Sequence, residues 1–301
     1  MFKNKRLNYY IDSFLLDKKI TVKESTYCRY LDIINNYIRP EFGNMSVKNI
    51  NKDLLNNYFI SLSKINRLNN KTIKDIIVLF KQILRDCNIN YSITLPKETK
   101  KNIQILTKDE QKILEKELCS NINSFNLGVL ICLYTGIRIG ELCALRWKDI
   151  DINNGFISIN HTIIRIKDFD GENKTKVIIS SPKTNNSIRQ IPVPKQVLNI
   201  LVNQKRKVDN DNNYLLTNSL KLMEPRSCLN HYYKLIKKIN LKKYNFHVLR
   251  HTFATRCVEL HFDYNTLSEI LGHSSVKITL STYVHPSINL KISSMQKLEL
   301  Y

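Results

Sequence analysis

The run LGVLICLYTGI, Leu127 to Ile137, constrains the fold more than any other stretch of this chain. A helix apolar on every side cannot face water and must be wrapped by other elements. The run is also far short of the roughly 20 residues that a membrane span needs. It therefore predicts a buried helix of a globular domain, ending near Gly136. The N-terminal stretch MFKNKRLNYYIDSFLLDKK has no long apolar core and no small-residue cleavage site, so neither membrane insertion nor secretion is expected.

On either side of that helix the patterning changes. Residues 1–95 read as helices throughout. LNYYIDSFLLDK is amphipathic. KESTYCRYLDIINNYIRPEFG has Ser25 as its expected cap and Pro40 as its expected end, because proline cannot continue a helix. NKDLLNNYFISLSK and NNKTIKDIIVLFKQILRDCN supply two more helices. Residues 96–104, proline-led and rich in lysine, read as a basic linker to a second region, 105–301. There TKDEQKILEKEL opens a helix with Thr107 as N-cap and Glu110 three residues on, a capping box. Alternating apolar patterns in GFISINHTIIRI, KTKVIISSPKT and IRQIPVP predict strands, and the chain then returns to helices. The expected fold is mostly α with a small antiparallel sheet, in two domains.

Charge narrows the partners. Lys and Arg number 47 against 26 Asp and Glu, a net +21, on a chain that is 43% hydrophobic. A chain with this much core is not a disordered polyelectrolyte, and so large an excess of one sign favours a polyanionic partner, nucleic acid first and an anionic membrane surface second. Seven cysteines, an odd number with no CxxC pair, fit reduced buried thiols in a cytoplasm better than disulfides or zinc. Seven glycines leave no Gly-rich phosphate loop.

Four stretches place polar and cationic groups inside apolar sequence. YTGIRIGEL carries Arg138 and Glu141 three apart, which on a helix share a face. SPKTNNSIRQIPV carries Lys183 beside a turn. FHVLRHTFATR carries His247 and Arg250 on one face, with His251 about 100° round the helix. His247 and His251 have i, i+4 spacing, but no HExxH pattern surrounds them, so no metal site is expected. LGHSSVKITLSTYVH carries His273 and, ten residues on, Tyr283. Val276, Leu280 and Tyr283 fall at i, i+4 and i+7, so packing by the first two is expected to hold the helix of Tyr283. Each stretch alone also reads as ordinary surface or core.

Their order is more informative. Arg138, Lys183, His247 with Arg250, His273 and Tyr283 resemble the tyrosine recombinase (phage integrase) family, through the words TGIRIGEL, PKTNNSIRQIPV, HVLRHTFAT and LGHSSV. STYCRYLDIINNYIRPEFG is similar to the family's helical core-DNA-binding domain, so the resemblance covers nearly the whole chain. The gap from His273 to Tyr283 is one residue longer than in many members.

The resemblance implies a site-specific recombinase working on duplex DNA with no metal and no cofactor. Tyr283 would be the nucleophile, forming a 3′-phosphotyrosine that conserves bond energy for rejoining. Arg138 and Arg250 would hold the transferring phosphate in bidentate forks. Lys183 would protonate the leaving 5′-oxygen, and His247 and His273 would donate to phosphate oxygens or accept the phenol proton. Glu141 would orient Arg138. The resemblance further implies a homotetramer on paired sites, an excisionase or DNA-bending accessory protein, and a tail at 286–301, with Ile288, Ile292 and Met295 on one face, that meets a neighbouring subunit. Helices starting almost at Met1 imply that no arm-binding domain precedes them. A mobile-element integrase is the expected role. A chromosome-dimer-resolving recombinase, a type IB topoisomerase and a non-catalytic architectural DNA-binding protein are the alternatives.

Overall fold

The computed structural model describes residues 5–64, 68–96, 103–169, 171, 173–180, 188–284, 292, 295 and 296. The chain divides into two compact units, Met1–Lys101 with Ile166–Lys176, and Asn102–Arg165 with Val177–Tyr301. Most of the linker expected at 96–104 and nearly all of the tail expected at 286–301 lie outside the described residues.

The first unit is built on α1 (Leu7–Thr21), α2 (Glu24–Ile33), α3 (Arg39–Phe42), α4 (Lys52–Lys64) and α5 (Asn70–Asp86). Its core gathers Leu7, Ile11, Ile34, Ile38, Phe42, Leu55, Ile76 and Phe80, one stripe from each amphipathic segment. Two sequence expectations fail here. Ser25 is not the cap of α2. The backbone leaves extended geometry at Lys23, whose carbonyl already accepts from the N–H of Thr26 and Tyr27, so Ser25 falls inside the first turn. Nor does the helix stop at Pro40. A π turn, Ile34–Ile38, shifts the hydrogen-bond register, and Pro40 becomes the second residue of α3, where a missing N–H costs nothing.

The second unit holds α6 (Lys108–Ser120), α7 (Ser124–Thr135), α8 (Ile139–Ala144), β1 (Ile150–Asp151), β2 (Phe156–Ile159), β3 (Thr162–Lys167) up to Arg165, β4 (Thr175–Ser180) from Val177, β5 (Arg189–Pro192), α9 (Lys195–Lys205), α10 (Pro225–Lys238), α11 (His247–Glu259), α12 (Tyr264–Leu271) and α13 (Val276–Tyr283). The Thr107–Glu110 capping box starts α6. The apolar α7 is buried along nearly its whole length and ends at Gly136 in the left-handed conformation. Strands β1, β2 and β5 form one antiparallel sheet, with Ile157 opposite both Ile150 and Ile191, and β3 pairs with β4. All seven cysteines are free thiols, and all but Cys119 are buried. Among the described residues no helix is long and apolar enough to cross a membrane.

Helix α13 corrects a third expectation. Leu280 is exposed and Val276 only half-buried, and the buried residues are Thr279 and Tyr283. The seated stripe is therefore i, i+4 through a threonine. The three-residue apolar pattern misjudged the face by one position, about 100°. Tyr283 itself packs on Ala254, Cys257, Leu267 and Leu271.

Candidate active site

Three arginines meet the C-terminal end of α12. The last carbonyls of a helix have no partner within it and carry partial negative charge. Here each takes one guanidinium. The Ile270 carbonyl accepts from Nε of Arg189 at 2.7 Å, that of Leu271 from Arg250 at 2.8 Å, and that of Gly272 from Arg138 at 3.2 Å. Arg250 also donates to the carbonyl of Gly136 at 2.8 Å. Gly136 and Gly272 both sit at positive φ as helix ends. A side chain at Gly272 would also press on Arg189, whose guanidinium lies 3.0 Å from where a Cβ would stand.

Glu141 ties two of these arginines together. Its carboxylate accepts from the backbone N–H of Arg138 at 2.9 Å and from that residue's guanidinium at 2.8 Å. It also accepts two hydrogen bonds from Arg189, at 2.9 and 3.1 Å. The Glu141 and Arg189 side chains are 4% and 6% exposed, whereas Arg138 is 35% exposed. Burial alone would raise the Glu141 carboxyl. The hydrogen bond and charge of Arg189, and then the charge of Arg138, hold it at about 2. Arg138 is thus fixed from behind while its outer edge stays open. Arg250 is 3% exposed, and burial followed by the charge of Arg138 lowers it to about 10, so it remains a cation at neutral pH.

Tyr283, His247 and His273 complete the cluster with His251. The Tyr283 hydroxyl lies 3.0 Å from Nδ1 of His251. The His273 ring is parallel to the Tyr283 ring at 6.3 Å, and its Nδ1 is 2.7 Å from Oγ1 of Thr279. Burial raises the phenol, and the charges of Arg250 and Arg138 draw it back. Burial and then the nearby arginines lower His247 and bring His273 to about 4. Burial, then His247 and Arg250, bring His251 to about 4. All three imidazoles are therefore neutral at neutral pH in the absence of an added anion.

A cleft of about 410 Å³ opens on this cluster, lined by Arg138, His247, Arg250, His251, Gly272, His273, Ser274, Ile278, Thr282 and Tyr283. Five residues singled out in the sequence, Arg138, His247, Arg250, His273 and Tyr283, thus share one cleft, and Glu141 stands behind Arg138. Lys183 lies outside the described residues. Two residues were missed. Arg189 opens β5, and nothing in its local pattern announces a buried ion pair with a residue 48 positions away. His251 was weighed only as a metal ligand beside His247 and given no other role, yet α13 approaches α11 from the side that His251 occupies. Among the described residues no group of three His, Cys, Asp or Glu is placed to hold a metal. Two arginines and neutral imidazoles around a phenol can hold a tetrahedral phosphate diester and present an oxygen nucleophile to it.

The model of the Phage integrase family matches residues 97–289, and that of the Phage integrase, N-terminal SAM-like domain matches residues 6–63. A tyrosine recombinase XerC-like protein of Caldanaerobacter subterraneus subsp. tengcongensis is 27% identical over 93% of this chain and 79% of its own length. The transposase from transposon Tn916 of Enterococcus faecalis is 30% identical over 64% of this chain, and the match spans 51% of the transposase. The solved structure of the Tn1549 transposon integrase in complex with transposon right end DNA has a TM-score of 0.79, covering 98% of this chain and 99% of that one. At 22% identity that likeness is one of fold.

Proposed function

This chain belongs to the phage integrase family, and on that premise we propose that it is a site-specific tyrosine recombinase that cuts and rejoins duplex DNA with Tyr283 as nucleophile. The observation that carries the reading is the Tyr283 hydroxyl set in one cleft with Arg138 and Arg250. The phenolic oxygen attacks phosphorus, the bond to the 5′-oxygen breaks, and a 3′-phosphotyrosine forms. Negative charge builds on the non-bridging oxygens as this happens. The outer edge of Arg138 and the remaining N–H groups of Arg250 face that charge, and their main-chain partners prevent the guanidiniums from having to reorganise. Nε2 of His273 donates to a phosphate oxygen, with Nδ1 held by Thr279. His247 is a second imidazole donor in the same cleft. Lys183 supplies the proton to the leaving 5′-oxygen.

Residues 1–95 act as the core-DNA-binding domain, 96–104 as the linker and 105–301 as the catalytic domain. The net charge of +21 supports extensive phosphate contacts and a steep loss of affinity with salt. Four copies assemble on two paired sites, each passing its tail, 286–301, to a neighbour, and an excisionase or DNA-bending protein sets direction. Relatives named for a transposon and for Staphylococcus phage L54a support a mobile-element role. The similarity to a XerC-like recombinase over nearly the whole chain keeps chromosome-dimer resolution as the second reading. Trapping on a nicked suicide duplex tests the enzyme: the wild-type protein is expected to form a covalent adduct and Tyr283→Phe none. An adduct that survives in Tyr283→Phe removes Tyr283 from the role.

A further inference from the structure

A phenol is a poor nucleophile until its proton leaves, and the groups around Tyr283 divide sharply in their ability to take it. Arg138 and Arg250 are donors only. His273 lies parallel to the phenol ring and has Nδ1 engaged with Thr279. His247 meets the edge of His251, with ring centres 5.7 Å apart. His251 alone among the described residues places a ring nitrogen within hydrogen-bond distance of the hydroxyl, at 3.0 Å. With its proton on Nε2, the imidazole offers the Nδ1 lone pair to the Tyr283 O–H.

We propose that His251 is a further catalytic residue, the general base that removes the phenolic proton of Tyr283 as the tyrosine attacks phosphorus. The inference rests on the recombinase reading above. The step balances within the site. The Tyr283 O–H bond breaks and its proton moves to Nδ1 of His251. The phenolic oxygen bonds to phosphorus, the bond from phosphorus to the 5′-oxygen breaks, and that oxygen takes its proton from the general acid. In rejoining, the steps reverse and His251 returns the proton to the departing phenolate.

The surroundings suit this role. The groups facing His251 are His247 and Arg250 on its own helix α11 and Tyr283 on α13, with His273 and Arg138 across the cleft. Burial first, then the neighbouring His247 and Arg250, lower His251 to about 4, so in the free protein it is a proton acceptor throughout the neutral range. A bound phosphodiester brings negative charge among the same cations. That charge raises the affinity of the imidazole for a proton at the stage when the proton must move. Helix position explains why one residue is so placed. His251 is one turn beyond His247 and lies on the side of α11 against which Tyr283 packs, beside Ala254 and Cys257.

The discriminating variant is His251→Asn. Asparagine can put its amide oxygen near the Nδ1 position and accept the same hydrogen bond, but it cannot take up the proton. The probe is a nicked suicide duplex carrying a sequence selected from a randomised library by binding to the wild-type protein. Single-turnover adduct formation is followed against pH, with duplex affinity measured in parallel and Tyr283→Phe as the blank. His251→Asn and His251→Ala are both expected to bind the duplex normally and to cleave ~10²- to 10⁴-fold more slowly. Their rates are expected to climb with pH, since hydroxide must then take the proton, while the wild-type rate stays level from about pH 6 to about pH 9. Fluorotyrosine at position 283, a more acidic phenol, is expected to narrow the gap. Restoration of the wild-type rate by His251→Asn would reduce His251 to a residue that orients the hydroxyl and overturn the proposal. So would a level pH profile in both variants. Absence of any wild-type adduct would overturn the recombinase reading itself, which makes the two failures distinguishable.

Discussion

Arg189 donates two hydrogen bonds, 2.9 and 3.1 Å long, to the two carboxylate oxygens of Glu141, and both side chains are almost wholly buried. A third bond from the same guanidinium reaches the carbonyl of Ile270, near the end of α12. Arg189 therefore joins the carboxylate behind Arg138 to the helix end that leads into His273. Removing one partner of a buried pair leaves a charge without compensation and costs about 3 to 5 kcal/mol. Arg189→Ala is expected to lose stability on that scale in urea denaturation. The double variant Arg189→Met with Glu141→Leu is expected to lose less than the sum of the two single changes. Additive losses would show that the pair is not coupled.

Arg138 and Arg250 are predicted to act through geometry as well as charge. Arg138→Lys and Arg250→Lys keep the cation and lose the planar fork and its main-chain anchors. Adduct formation is expected to fall by ~10²-fold or more in each variant, with duplex affinity changed far less. A near-wild-type cleavage rate in either would make that arginine a structural residue. Of the two, Arg250→Lys is expected to lose more stability, because its carbonyl partners at Gly136 and Leu271 are buried with it.

Lys183 is open to a chemical test that needs no picture of its surroundings. Sulfur in place of the bridging 5′-oxygen gives a leaving group that does not require a proton. Lys183→Ala is expected to be severely slowed on ordinary DNA and largely restored on the sulfur-bridged duplex. Equal defects on both substrates would remove Lys183 from the general-acid role.

The histidines predict how stability depends on pH. In the folded chain His251 and His273 sit at about 4, and His247 is also lowered, against an ordinary value of 6.5. Between those values the unfolded chain binds more protons than the folded one. Their contribution to stability is therefore complete above pH 6.5 and is lost as pH falls through that window toward 4. Glu141, held at about 2 against an ordinary 4.5, keeps its contribution above pH 4.5 and loses it as pH falls from there toward 2. Urea midpoints measured across the window are expected to fall with pH, and less steeply in His251→Asn. A flat wild-type profile would mean that the imidazoles are not held neutral in the folded chain.

Much of this was legible in the sequence, for local reasons. The Thr107–Glu110 capping box, the apolar α7 and its Gly136 end are signals carried by a few adjacent residues, and each appears in the structure where the pattern put it. The resemblance singled out Arg138, His247, Arg250, His273 and Tyr283, which line one cleft, and Lys183, which lies outside the described residues. What could not be read depends on distant partners. Pro40 breaks a helix in isolation, but a π turn before it absorbs the change of register. Leu280 looks like core until the packing of α13 shows Thr279 in its place. The buried arginine of β5 and the imidazole beside Tyr283 gain their meaning from carboxylate and phenol groups 48 and 32 residues away. Periodicity within one element carries no information about which element will pack against it.

The most direct test of the account is to locate the bond. Wild-type protein trapped on the nicked suicide duplex would be digested with nuclease and protease, and the peptide bearing the nucleotide sequenced by mass spectrometry. The account predicts a single modified site, a nucleotide 3′-phosphate esterified to the hydroxyl of Tyr283. A nucleotide attached to any other residue, or cleavage that leaves no covalently attached nucleotide, would contradict it.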